Sequence, residues 1–455
     1  MYHAGCGSHP PVMGHTSAAP PAGSGRAVIA ASIGTLIQGY DSLLYGYFAS
    51  IFARQFFPQK DPTAALLSTF AIFAVGFAVR PLGGVLCGHI GDRVGRRPAL
   101  VFSVLIMAGA TTAVGLLPSY QRIGAWAPVL LLICRLLQGF SVGGEYVGAN
   151  VLILEYASAD RSGRWVSTNQ VAGYLGITAA GTTSLLLAHR LGEADLAAWG
   201  WRLPFFAAAP LGLIGLYLRL GIPDSPAFRA VAPSRVAFPL RAAFRTVKRG
   251  MLTYGAWFAM VGLGGYLVHG YLASYLIRVV GLDSAGAFGA SLVAVLTLAT
   301  GAIAGGYLVD RYPIHLVAIA CASGIALTAV PGFLLIQHGS VTLAILGEMP
   351  MAAGLGVAST LGATLTVSLF PVHLRYTAAG FAHNVTVTVF GSTAPFVSTW
   401  LIDRTGSALS PAWYLMAMAL VGVAVAVVAF RQLTDRPVAE PTTPLPGEHG
   451  RRLAT

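Results

Sequence analysis

Gly88-His89-Ile90-Gly91-Asp92-Arg93-Val94-Gly95-Arg96-Arg97 is a charged, glycine-rich turn between two long apolar runs, 64–90 and 98–117. Runs of about 20 apolar residues are long enough to cross a bilayer, so the turn reads as the junction of two spanning helices. A shorter copy, Gly306-x-x-x-Asp310-Arg311, follows a third run, 285–309, at an offset of 218 residues. Gly46-Tyr47-Phe48-Ala49-Ser50 is echoed by Gly270-Tyr271-Leu272-Ala273-Ser274 at an offset of 224. Two echoes at nearly one offset, at matching helix ends, imply two parallel repeats related by an axis along the membrane normal.

The rest of the chain agrees. Its 455 residues are 55% hydrophobic and 10% charged, against about 25% charged in soluble domains. Mean hydropathy is +0.71. A surface so poor in charge must face lipid over most of its area. The apolar runs are 27–50, 64–90, 98–117, 128–155, 164–190, 202–220, 251–279, 285–309, 314–336, 340–369, 376–402 and 411–431. The fold class is therefore an all-α membrane protein of twelve transmembrane helices, arranged as two six-helix bundles, with no room for a large soluble domain. The widest break, 221–250, carries Arg229, Arg235, Arg241, Arg245, Lys248 and Arg249 and divides the chain six plus six.

The expected organisation is a disordered tail over 1–25, a bundle over 26–220, a cytoplasmic linker over 221–250, a second bundle over 251–431 and a disordered tail over 432–455. The first 25 residues lack the charged start and apolar run of a cleaved signal. His3, His9 and His15 read as a solvated tail and not as a metal site. Cys6, Cys87, Cys134 and Cys321 are too scattered for a disulfide framework or a metal cluster and read as free thiols.

The net charge is +12. Basic residues mark the cytoplasmic side of a membrane protein. With both termini inside, 19 of the 28 Lys and Arg fall on that side, seven fall outside, and Arg80 and Arg135 lie within spans. The asymmetry places both termini in the cytoplasm and accounts for the basic charge without nucleic acid. The sequence has no H-E-x-x-H and no P-loop, which argues against a membrane-embedded enzyme.

An ionisable group in the hydrocarbon region costs at least about 2.5–3.5 kcal/mol, so each one is a functional candidate. The set is Asp41, Arg80, Arg135, Glu145 and Glu348, with His269 and His383. At about 1.5 Å per residue, Asp41 and Arg135 share one depth near the midplane, and Arg80 and Glu145 share another nearer the cytoplasm. Two ion pairs are expected, Asp41–Arg135 for proton coupling and Arg80–Glu145 as an intramembrane pair. Gln38, Asp41, Ser42 and Tyr45 form a polar stripe at helical spacing, and Gln170, Tyr174 and Thr178 form a weaker one.

With these residues in view, the turn at Gly88–Arg97 resembles the loop signature of the major facilitator superfamily. Further stretches are similar to its metabolite:proton symporter branch, which includes proline/betaine, 2-oxoglutarate, citrate and shikimate permeases. They are Tyr40-Asp41, Arg80-Pro81-Leu82-Gly83-Gly84, Gly139-Phe140-Ser141-Val142-Gly143-Gly144-Glu145-Tyr146, Trp199-Gly200-Trp201-Arg202-Leu203-Pro204-Phe205, and Phe370-Pro371 with Arg375-Tyr376. The branch often carries Glu where Gln38 and Ser368 stand, and an aromatic where His383 stands.

The resemblance implies a monomeric, multi-pass transporter of the cell inner membrane working by alternating access, driven by a proton gradient and needing no cofactor. Gly88, Asp92, Arg93, Arg96, Arg97, Glu155, Arg161 and Arg164 are expected to form the cytoplasmic gate. Gln38, Tyr45, Arg135, Gln170, Tyr174, His383 and Asn384 are the expected substrate contacts. Arg135 and the histidines are the available cationic groups, so the expected cargo is a mono- or dicarboxylate, with a proline/betaine osmolyte as the alternative and an exporter the more distant one.

Overall fold

The computed structural model describes residues 24–58, 62–230 and 238–431. The two tails, apart from Ser24 and Gly25 at the head of the first helix, lie outside the described residues. So do His3, His9, His15, Cys6, Lys60 and Arg235. Among the described residues, twelve helices are long and apolar enough to span a membrane: α1 (Ser24–Tyr47), α2 (Ala74–Arg93), α3 (Arg96–Leu116), α4 (Trp126–Tyr156), α5 (Ser162–Gly192), α6 (Leu196–Leu220), α7 (Lys248–Val280), α8 (Ser284–Arg311), α9 (Ile314–Ile336), α10 (Val341–Leu369), α11 (Arg375–Thr405) and α12 (Ser410–Phe430). Large apolar side chains such as Leu252, Leu327 and Phe396 cover the outer surface, each more than 70% exposed. In a helical bundle whose backbone bonds are satisfied internally, such a surface suits lipid.

The two halves repeat one packing scheme. In the first, α1 packs on α5, α2 on α4, α3 on α4 and on α6; in the second, α7 packs on α11, α8 on α10, α9 on α10 and on α12. The halves then meet through two equivalent contacts, α2 against α11 and α5 against α8. Glycine permits the closest approaches. A Cβ on Gly83 of α2 would strike the Phe140 carbonyl of α4, and one on Gly88 would strike the Thr377 backbone of α11.

Two breaks differ from the expected uniform spans. The chain kinks at Phe48 after α1 and continues as a short helix, Ala49–Phe56. That helix carries Phe52 and Phe56 into a cluster with Trp201 and Phe205. The second span is two stretches, Pro62–Ala78 and Arg80–Arg93, interrupted at Val79. The cause is Pro81, which has no N–H to offer the carbonyl four residues back. The freed Phe77 carbonyl instead accepts a 3.0 Å hydrogen bond from the Thr388 hydroxyl of α11, so a defect in one half is satisfied by the other. π-helical turns interrupt α7 at Leu267–Tyr271 and Leu276–Val280, and α11 at Val387–Gly391.

Candidate functional site

Asp41, Arg135, Gln138 and Thr111 converge in the first half from α1, α4 and α3. Asp41 is buried, with an oxygen 3.6 Å from Arg135 Nη1. That is ion-pair contact at a distance longer than a hydrogen bond. Its other oxygen accepts from the Gln138 amide at 2.5 Å and the Thr111 hydroxyl at 2.8 Å. Gln138 in turn accepts from Arg135 at 3.0 Å, one helical turn away. The Arg135 guanidinium lies 3.7 Å over the Tyr45 ring. Asp41, Ser42, Arg80, Arg135 and Gln138 line one small cleft with Phe77, with free space of about 20 Å³, room for about one water.

Arg80 and Glu145 do not pair. Glu145 is bound by Arg219 of α6 and by the Ser103 hydroxyl of α3. Arg219, 1% exposed, also donates to the carbonyls of Ala30, Ala31 and Leu100. Matched depth sets height but not azimuth: Glu145 faces inward among α1, α3 and α6, whereas Arg80 faces the second half. There its Nη1 donates to the Tyr266 hydroxyl of α7 at 2.9 Å. Arg219 was missed because it stands in the last turn of its helix, where a basic residue reads as a membrane-end charge.

The expected substrate contacts separate into two groups. The Tyr45 hydroxyl donates to the Thr69 carbonyl at 2.9 Å, and its ring lies beneath Arg135. The Asn384 amide donates to the Gly143 and Gly380 carbonyls at 2.6 and 2.7 Å, joining α11 to α4. In this structure these two side chains hold helices together. Gln38 keeps a buried amide oxygen without a partner. Gln170 accepts from Tyr146 at 2.8 Å, and the Tyr174 hydroxyl lies 3.4 Å from Ser359 of the second half. His383 stacks on Tyr146 with ring centroids 4.6 Å apart and meets the edge of Phe258 at 4.6 Å. Glu348 is fully buried in α10 with neither oxygen hydrogen-bonded.

At one end of the bundle a charged network joins the halves. Asp92 pairs with Arg96 at 2.7 Å, and Arg96 pairs with Glu155 at 3.0 Å. Arg375 of α11 also reaches Glu155, at 3.1 Å. Asp92 accepts from the backbone N–H groups of Tyr376 and Thr377 at the start of α11, at 3.2 and 2.8 Å. Asp310 of α8 accepts from those of Gly163 and Arg164 at the start of α5, at 2.7 and 3.1 Å, and pairs with the Arg164 side chain at 2.8 Å.

Three expected members stand apart from this network. Arg93 contacts His89, Arg161 pairs with its neighbour Asp160, and Arg97 binds Asp224 and the Leu220 carbonyl within its own half. Successive basic residues on a turn point in different directions, so only Arg96 of the three in Gly88–Arg97 faces the seam. Arg375 and Asp310 are the members missed, although both stand in motifs visible in the sequence. Beside the seam, burial pulls the His373 imidazole below its usual range, and Asp92 opposes that shift.

Twelve spans in two equivalent halves, with a polar cleft lined by Asp41, Arg80 and Arg135, suit a secondary transporter, and the comparisons narrow the class. The family model described as "Sugar (and other) transporter" matches residues 27–236. A proline/betaine transporter of Escherichia coli K12 is 34% identical over 430 residues, covering 91% of this chain and 84% of the relative. A glycine betaine/proline/ectoine/pipecolic acid transporter, OusA of Dickeya dadantii, is 35% identical over 415 residues, covering 88% and 81%. Among solved structures, the proton:xylose symporter XylE superposes with a TM-score of 0.74 at 17% identity, covering 90% of this chain and 96% of that one. The chain belongs to the major facilitator superfamily, in its metabolite:proton symporter branch.

Proposed function

We propose that the protein imports a small zwitterionic osmolyte of the proline/betaine type together with protons, by alternating access. The observation that carries the proton side is Asp41, a buried carboxylate held by Arg135, Gln138 and Thr111 at the edge of the cleft. Burial favours its neutral form and the cation favours its charged form. A substrate carboxylate entering the cleft competes for the positive charge of Arg135 and Arg80, which favours proton uptake by Asp41. Binding and protonation are thereby linked. One pH unit supplies about 1.4 kcal/mol per proton and 100 mV about 2.3 kcal/mol, together enough for a gradient of about a few hundredfold.

The substrate class rests on the relatives, whose names are those of proline and betaine transporters. They favour the osmolyte over a mono- or dicarboxylate. Gln38, Gln170, Tyr174 and His383 remain the candidate contacts for the rest of the substrate. The seam of Asp92, Arg96, Glu155, Arg164, Asp310 and Arg375 acts as the cytoplasmic gate, closed here. In this reading both termini lie in the cytoplasm, and the protein works as a monomer in the inner membrane and needs no cofactor. The test is uptake by proteoliposomes under an imposed inward proton gradient, with labelled glycine betaine, proline and succinate in parallel. Accumulation of the zwitterions and not of succinate supports the reading; accumulation of succinate alone restores the carboxylate reading.

A further inference from the structure

Arg80 is a buried cation that lacks an anion. It is 7% exposed, and no carboxylate among the described residues lies within ion-pair distance of it. The nearby acids are engaged elsewhere: Asp41 with Arg135, Gln138 and Thr111, and Glu145 with Arg219 and Ser103. The Arg80 guanidinium stacks 3.9 Å over Phe77, one nitrogen donates to Tyr266, and the buried Nε has no hydrogen-bond partner.

This placement follows from the sequence. Pro81, the residue after Arg80, interrupts the helix at Val79 and leaves the Phe77 carbonyl to α11, so Arg80 is carried at the kink, on the wall of the cleft that also holds Asp41. A buried, unpaired guanidinium is costly. A cost of that kind is recovered when an anionic ligand completes the site. The planar fork of Arg matches a carboxylate in a bidentate arrangement that a single hydroxyl partner does not satisfy.

We propose that Arg80 is the receptor for the carboxylate of the transported substrate, held ready by Tyr266 of the opposite half. The assignment rests on the zwitterion reading above and adds the group that reads the anionic end. Because Arg80 belongs to the first half and Tyr266 to the second, a carboxylate that captures the Arg80 fork also loosens a link between the halves. Arg135 stays in contact with Asp41, and a carboxylate held at Arg80 in the same cleft draws on its charge from there.

Affinities for glycine betaine and for its uncharged-end analogue, the betaine amide, are measured on purified protein by titration calorimetry, for the parent, Arg80→Gln and Arg80→Lys. The parent is expected to prefer the acid by about tenfold or more, the scale of a charge-assisted pair. In Arg80→Gln that preference falls to within about twofold while affinity for the amide is unchanged, which a merely structural role does not produce. Arg80→Lys, which keeps the charge and lacks the fork, retains part of the preference; it serves alone if the Gln variant does not fold, and a full parental preference there overturns the bidentate receptor. A preference that survives in Arg80→Gln overturns the assignment and leaves the osmolyte reading standing. A parent that binds neither compound overturns both.

Discussion

Asp92 and Asp310 hold equivalent positions in the two halves, and each accepts hydrogen bonds from two successive backbone N–H groups at the start of a helix in the opposite half. The start of a helix carries a partial positive charge and unpaired N–H groups, so a carboxylate is favoured there. The repeat visible as Gly88-x-x-x-Asp92 and Gly306-x-x-x-Asp310 is thus a repeat of one device. The glycine allows the helices to touch, and the aspartate four residues on secures the contact.

Loss of charge at either aspartate weakens the closed seam. Hydrogen bonds to a charged group contribute about 1.5–3 kcal/mol, so Asp92→Asn or Asp310→Asn shifts the population toward the open seam by about tenfold or more. Labelling rates of single cysteines placed just inside the seam report it. Faster labelling is expected in both variants, and rates equal to the parent's in both would remove the seam from gating.

The Glu145–Arg219 pair is buried at both ends, with side chains 2% and 1% exposed. Removing one partner of such a pair typically destabilises by about 3–5 kcal/mol, whereas replacing both by apolar groups is far milder. Arg219→Met is therefore expected to lower the thermal unfolding temperature in detergent strongly, and Arg219→Met combined with Glu145→Met to recover most of the loss. Additive losses in the double variant would contradict the pairing.

Thr388 satisfies the carbonyl that Pro81 leaves free. Thr388→Val keeps the shape and removes the donor, leaving a buried acceptor unpaired at about 1–3 kcal/mol. Pro81→Ala restores the missing N–H within α2. The loss on Thr388→Val is expected to be smaller in a Pro81→Ala background, as unfolding temperatures in a double-mutant cycle will show; an equal loss in both backgrounds would dissociate the two residues.

Much of the fold was legible because hydrophobic runs and the repeated Gly-x-x-x-Asp turn are one-dimensional signals. Asp41 and Arg135 were also legible, since both were matched by depth and fall in contact. Arg80 and Glu145 were matched by the same depth rule and are not in contact. Height along the membrane normal can be counted in residues; the direction a side chain takes around its helix depends on packing partners. Gln138 and Thr111 went unnoticed because neutral polar residues in a membrane helix carry little cost to flag them. Arg375 and Asp310 were visible in their motifs, but pairing them with Glu155 and with the start of α5 required the three-dimensional seam.

The most direct measurement sets Asp41→Asn beside the parent in proteoliposomes, with labelled glycine betaine followed in two modes. Proton coupling at Asp41 predicts that the variant still exchanges internal for external substrate, while accumulation under an imposed inward proton gradient is abolished. Accumulation in the variant equal to the parent's would contradict it.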